Sequence, residues 1–390
     1  MQEKQFLSEQ KMISTRRPRL DAIEYIRGIS MMGVIGIHVG SQYIMNPSAN
    51  IHLIALFEIV SRFSVPIFFF ISAFGLFYNL DPNKPFSYRD FLTRRFKTVL
   101  IPYLVWSLFY LIHDAMLYGT GFPSPFRLAG ILFFGVAKYQ LYFLVLLIWF
   151  YLAMPLWIWI IRRADKAFLV GLLLFQIAFN YWSSFSVPFN VFVYGLPDTS
   201  LLKPLLMYRL NYWVLHYIFI FLLGGYLAVH IDSFRMLMQN ARGKITLFFF
   251  GSLAWLLAYY YELLFVDGYQ PIEAINTAHQ LCPAGIFYTI AASIFFFTIF
   301  TYQRYPKFLN PIFHQLGCHS YFAYLVHPLA ITYLALLLEH TRGVMTAPLA
   351  LLFYLATLLL AMAAAMLARN LGKSFPLINK LTIGVYPKKK

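Results

Sequence analysis

Ten runs of about twenty mostly apolar residues divide this 390-residue chain, and they constrain its fold more than any single motif does. A helix rises about 1.5 Å per residue, so roughly twenty residues cross a hydrocarbon core about 30 Å thick. The runs fall at 24–44, 53–78, 97–117, 140–161, 167–185, 211–230, 244–264, 281–301, 319–338 and 347–368. The chain therefore reads as all-α, a polytopic membrane helix bundle with about ten transmembrane helices. Charged residues make up 12% of it, about half the share usual in a soluble domain. Two loops, 118–139 and 186–210, are long and rich in Gly, Pro and aromatics, and are expected to carry short re-entrant or interfacial helices.

The formal net charge is +16, but the cations lie in short loops between apolar runs rather than on one polar face, which argues against a nucleic-acid partner. One set of loops and tails receives Lys4, Lys11, Arg16, Arg17 and Arg19, then Lys84, Arg89, Arg94, Arg95 and Lys97. It also receives Arg162, Arg163, Lys166, Arg235, Arg242, Lys244, Arg304 and Lys307, and at the end Arg369, Lys373, Lys380 and Lys388 to Lys390. The alternate loops hold only Arg127, Lys138, Lys203, Arg209 and Arg342. By the positive-inside rule both termini are cytoplasmic. The expected divisions are an N-terminal tail 1–23, one membrane domain 24–368 and a basic C-terminal tail 369–390. The two cysteines, Cys282 and Cys318, give neither a disulfide framework nor a metal-ligand pattern along the chain. The polar first twenty residues show no cleavable signal peptide.

The first run carries "RGISMMGVIGIH", a cation and an imidazole at the ends of ten uncharged residues. Positions eleven apart on a helix are rotated by three turns plus about 20° and separated by roughly 16 Å, so Arg27 and His38 share a face. Each has a bland reading. Arg27 snorkels to the interface, and His38 is a neutral imidazole bonded to a neighbouring helix. Together they suggest one elongated site, with a cation for phosphate at one membrane face and a base deep in the bilayer. Glu58 and Arg62, four apart on the second helix, read first as a structural ion pair and second as a substrate-positioning pair. His113, His216 and His230 lie near helix ends and read as interfacial. Among the aromatics, Trp182, Tyr194 and Tyr212 are candidates to stack on a sugar.

"IEYIRGISMMGVIGIH" resembles the opening of the acyltransferase-3 family of bacterial membrane proteins, whose first helix carries Arg, ten residues, then His. "FSVPIFFFISAF" is similar to the family's Phe-rich second helix ending in Ser and a small residue, here Ser72 and Ala73. "FLTRRFKTVLIPYLVW", "YQLYFLVLLIWFYLAMPLW", with Tyr142, and "YWVLHYIFIFLLGGYLA" follow in the family's order. "LGCHSYFAYLVHPLA" resembles its late Ser-Tyr…Tyr-Leu-x-His-Pro motif, with Tyr324 and His327. Two departures stand out. An Arg-x-x-Arg before the third helix is replaced by Arg95 with Thr98, leaving Arg94 and Lys97 as the alternative cations. Gln140 stands where many members have His. The C-terminal segment is too short for the esterase-like domain that some members carry.

The resemblance implies transfer of an acetyl or similar short acyl group from acyl-CoA to a hydroxyl of a cell-envelope polysaccharide or lipid-linked sugar. It implies an O-acetyltransferase of the inner (cytoplasmic) membrane. Acetyl-CoA is then a donor substrate, and neither a permanently bound cofactor nor a metal is expected. The acceptor meets the membrane domain directly or through a separate envelope-glycan synthesis protein. Arg27, Arg94, Arg95 and Lys97 would hold the donor phosphates, since guanidinium forks suit phosphate oxygens. His38, with Arg27, would be catalytic, as general base or as acyl carrier. Glu58, Arg62, Ser72, Tyr142, Tyr324 and His327 would contact substrate. The alternative is an exporter or flippase of a glycan or lipid-linked sugar without covalent chemistry, which buried charge in ten helices also fits.

Overall fold

A computed structural model describes residues 20–46, 49–80, 85–341 and 343–385. Lys4, Lys11, Arg16, Arg17, Arg19, Lys84, Arg342 and Lys388 to Lys390, used above to orient the chain, lie outside the described residues. Among the described residues there is no strand. The helices are α1 Asp21–Tyr43, α2 Ile51–Tyr78, α3 Tyr88–Tyr118, α4 Pro125–Phe134, α5 Tyr142–Leu152, α6 Met154–Ile161, α7 Lys166–Phe185, α8 Val187–Gly195 and α9 Leu202–Met207. They continue as α10 Val214–Val229, α11 Ile231–Asn240, α12 Arg242–Phe265, α13 Pro271–Thr277, α14 Pro283–Thr301, α15 Asn310–His340, α16 Ala347–Ser374 and α17 Pro376–Ile383. Eight are long and apolar enough to cross a membrane, and two bent pairs bring the total to as many as ten. The chain is thus a multi-pass membrane protein, and each expected run coincides with one of these spans.

Two spans expected as straight helices are broken. The run 140–161 bends by 63° between α5 and α6. Pro155 there has no N–H, and its ring clashes with the carbonyl one turn back. The Trp157 indole N–H donates to the Phe150 carbonyl at 2.9 Å and closes the gap. The sixth span ends at Val229 with a 96° bend. Beyond it Ile231, Phe234 and Met238 are buried while Asp232 and Arg235 are exposed, an amphipathic pattern that suits an interface rather than a crossing. The loops expected to hold short helices do so as α4, α8 and α9. Part of the C-terminal segment is also helical: α17 lies on α3, where the Trp106 N–H reaches the Thr382 carbonyl at 3.0 Å.

Burial sorts the bundle into a centre and a shell. α1, α2 and α14 are mostly enclosed, whereas α7, α12 and α16 turn most of their side chains outward, among them the exposed Leu174, Leu247 and Leu359. α1 crosses α15 and also packs on α2, α14 and α16, while α10 packs along α2. The α1–α15 crossing rests on small residues. A Cβ at Gly28 would sit 2.8 Å from Leu316 Cβ, so only glycine permits that approach. α2 departs from regular geometry where it carries charge. A π turn at Ala55–Ile59 and a 3-10 turn at Val60–Phe63 interrupt it and bracket Glu58 and Arg62. Local irregularities of this kind re-aim side chains within a helix and mark functional positions often.

Candidate functional site

α1 is unbroken from Asp21 to Tyr43, so Arg27 and His38 keep the expected separation of roughly 16 Å along one axis. Their surroundings differ. Arg27 is exposed, and His38 faces the interior. The His38 ring stacks on His327 of α15, with centroids 5.3 Å apart and planes 16° from parallel. The Tyr139 ring lies 4.3 Å from His38 and 6.3 Å from His327, so the three rings form one cluster. His38 lines a small chamber of about 60 Å³ together with Arg62, Gln140, Tyr142, Gln280 and Tyr324. Among the described residues its ring nitrogens make no hydrogen bond, so the first bland reading, a histidine bonded to a neighbouring helix, does not describe it.

The "HP" of the late motif sets the state of the second histidine. Pro328 lies inside α15 and has no N–H, which leaves the Tyr324 carbonyl four residues earlier without its helical donor. The His327 ring takes that place, with Nδ1 2.7 Å from the Tyr324 carbonyl oxygen. A carbonyl only accepts, so Nδ1 carries the proton and Nε2 keeps its lone pair. Nε2 is buried and has no partner. The next carbonyl, Leu325, accepts from Tyr110 Oη at 2.6 Å and from Gln140 Nε2 at 3.4 Å. Tyr324 in turn donates its hydroxyl to the Gln140 backbone carbonyl. The Gln140 Oε1 atom is a second buried acceptor without a donor.

Arg62 closes one wall of the chamber. Its Nη2 donates to Glu58 Oε2 at 3.0 Å and to the Ile275 carbonyl at 2.9 Å. Glu58, 1% exposed, also accepts from Ser41 Oγ at 2.9 Å. The expected ion pair is present, but Arg62 Nε is buried without a partner and the residue lines the chamber. Arg62, Tyr142 and Gln280 also line a second, far larger cavity of about 1080 Å³, so the two spaces share a wall. This vestibule lies at the ends of α7, α12 and α14 remote from the basic loops. Tyr194, one of the expected sugar-stacking candidates, lines it. Trp182 and Tyr212 do not, and flank a separate apolar groove with Phe133 and Trp149. His279 lines the vestibule with Nδ1 accepting from the Leu281 N–H at 3.0 Å. Burial, then the positive Arg62, then His216 push its pKa down to about 3, so it stays neutral.

At the opposite end the predicted donor cations divide. Arg95 is half-buried, its guanidinium 5.2 Å from the Tyr151 ring centroid and 5.4 Å from that of Phe91. Tyr151 Oη lies 3.2 Å from Ser72 Oγ, so the fold joins Ser72 to Arg95 through one tyrosine. Arg94 and Lys97 are exposed on the same helix. One sequence reading needs correction. His216 is fully buried rather than interfacial, held by Asn180 Oδ1 at 2.9 Å and Ser183 Oγ at 3.3 Å where α7 folds over the start of α10. Another cluster was invisible along the chain: Glu24 of α1 and His314 and Cys318 of α15 bring ligating atoms within 4.8 Å of one another. Arg369 bonds the Cys318 carbonyl at 3.2 Å, and its charge opposes a cation on that patch.

The helical membrane bundle thus sets a small histidine-lined chamber beside a large vestibule. The model of the acyltransferase-3 family, described as an acyltransferase domain, matches residues 20–366, and the chain belongs to that family. Its members generally move acyl groups to sugars. No curated protein and no solved structure matches the chain.

Proposed function

We propose that this protein transfers an acetyl or similar short acyl group from acyl-CoA to a sugar hydroxyl of the cell envelope, with both termini in the cytoplasm and the bundle in the inner membrane. The observation that carries the reading is the position of His38. It faces a chamber that shares Arg62, Tyr142 and Gln280 with the vestibule, roughly 16 Å along α1 from Arg27. The coenzyme stays at the basic face, its phosphates held by Arg27, Arg94, Arg95 and Lys97. Its slender arm carries the thioester toward His38, past the Ser72–Tyr151 pair.

The acceptor enters from the vestibule and presents a hydroxyl to the chamber. A neutral imidazole takes the hydroxyl proton as the oxygen attacks the thioester carbonyl. The C–O bond forms, the C–S bond breaks, and the departing thiolate takes up the proton. Arg62 is the cation that lines the chamber, and its unpartnered Nε–H suits the developing oxyanion. His327, with Nδ1–H fixed on the Tyr324 carbonyl, stacks against His38 and holds the ring plane. Tyr142 and Tyr324 shape the wall around it, and Glu58 holds Arg62 in place. Family membership favours covalent transfer over the exporter reading. Purified protein incubated with radiolabelled acetyl-CoA and envelope extract tests the proposal. Label in a base-labile glycan ester is the expected result, and acceptor movement without ester formation would overturn it.

A further inference from the structure

The vestibule holds positive charge that the fold does not neutralise. Two guanidiniums line it, Arg62 and Arg209, and no Asp or Glu does. Arg62 is offset by Glu58. Arg209 has no carboxylate within ion-pair distance among the described residues, although it is only 4% exposed. Its partners are all neutral. Nε donates to the Ser183 carbonyl at 2.7 Å, Nη1 to the Leu206 carbonyl at 2.7 Å, and Nη2 to Asn190 Oδ1. Its guanidinium also lies 5.1 Å from the Phe189 ring centroid. A guanidinium has five N–H donors, so these bonds use three and leave two.

Neutral acceptors orient the group but leave its charge unbalanced. Removing an unbalanced charge from water is costly unless a counter-charge arrives. The acceptor site of a sugar transferase supplies a place for one. We propose that the vestibule takes a sugar bearing anionic oxygen, a carboxylate or a phosphate, with Arg209 as its counter-charge. The rest of the lining suits a sugar ring: Tyr194, Tyr217 and Tyr259 offer aromatic faces and phenol groups, and Asn276 and Gln280 offer amides for hydroxyls. With the anion on Arg209 and a hydroxyl toward Arg62, the acceptor spans the vestibule from its outer wall to the chamber. This inference rests on the vestibule being the acceptor site.

The test reads binding without donor, on the full chain in lipid nanodiscs. Glucuronate, glucose 1-phosphate, glucose and inorganic phosphate are titrated separately. Either anionic sugar should bind at least about tenfold tighter than glucose, as charge-assisted hydrogen bonds require. That preference should shrink when NaCl rises from about 0.05 to about 0.5 M. Tighter binding of glucuronate assigns a carboxylate sugar, and tighter binding of glucose 1-phosphate assigns a phosphorylated one. Arg209→Lys should keep the preference and Arg209→Gln should abolish it. If Arg209→Gln does not fold, the wild-type comparison still decides. Equal binding of glucose and both anions would overturn the proposal, as would inorganic phosphate binding as tightly as glucose 1-phosphate. Acyl transfer to envelope extract is assayed in parallel. Its presence without anion preference fails this inference alone, and its absence fails the transferase reading instead.

Discussion

Arg62 belongs at once to a buried ion pair with Glu58 and to the chamber wall, and a double-mutant cycle separates the two roles. Arg62→Met leaves the Glu58 carboxylate, 1% exposed, with only the Ser41 hydroxyl as partner. Glu58→Leu leaves the guanidinium with the Ile275 carbonyl at 2.9 Å. Breaking a buried pair from one side costs about 3–5 kcal/mol, whereas replacing both partners with apolar groups of similar volume is often close to neutral. Each single variant should therefore lose roughly 3 kcal/mol or more, and the double variant should recover most of it. Transfer should not recover. Loss of a preorganised group at a developing oxyanion costs about 100-fold or more, so the stable double variant should remain at least that far below wild type. Stability is read by denaturation in a bilayer mimic and transfer with radiolabelled acetyl-CoA. A double variant that is stable and fully active would reduce Arg62 to a structural residue. Single variants with wild-type stability would refute the ion pair itself.

Three further outcomes follow from the same geometry. His38→Ala should lower transfer by about 10²–10⁴-fold while the protein stays folded, because its ring makes no hydrogen bond that the bundle relies on; unchanged transfer in a folded variant excludes it as the base. Arg27→Ala should weaken coenzyme A binding more than Arg27→Lys does, since lysine keeps the charge but loses the guanidinium fork; equal affinity in wild type and Arg27→Ala would make Arg27 a topology anchor. Pro328→Ala restores an N–H to the Tyr324 carbonyl and displaces the His327 ring, so transfer should fall about tenfold or more without loss of thermal stability; unchanged transfer would show that the His327 tautomer is immaterial.

The bundle was legible because lipid imposes a simple length and polarity rule, and the ten apolar runs became eight long apolar helices and two bent pairs. The 63° break was also written in the chain, at Pro155, but a hydropathy reading does not weigh one proline against twenty apolar neighbours. Arg27 and His38 could be paired from sequence because a single unbroken helix fixes their relation. Gln280 and Arg209 could not. They come from loops and short helices far apart in the chain, and only packing brings them to one cavity. His216 was misread for a related reason. Its place near a helix end says interface, yet the turn that closes α7 folds over it and supplies Asn180 and Ser183 as partners. Pro328 is the instructive case. The His-Pro pair was visible as a motif, but its effect on the ring depends on a carbonyl four residues back, which only a continuous helix presents.

In the proposed reaction the donor stays on one side of the membrane while the acyl group leaves on the other. Sided proteoliposomes test it directly. Radiolabelled acetyl-CoA is confined to the compartment facing the basic loops, envelope glycan extract is placed in either compartment, and orientation is fixed by an impermeant reagent on a cysteine introduced at Asn240 in a background lacking Cys282 and Cys318. Base-labile labelled ester should form when the glycan lies opposite the donor. Ester formed only when glycan and donor share the compartment that faces the basic loops would contradict it.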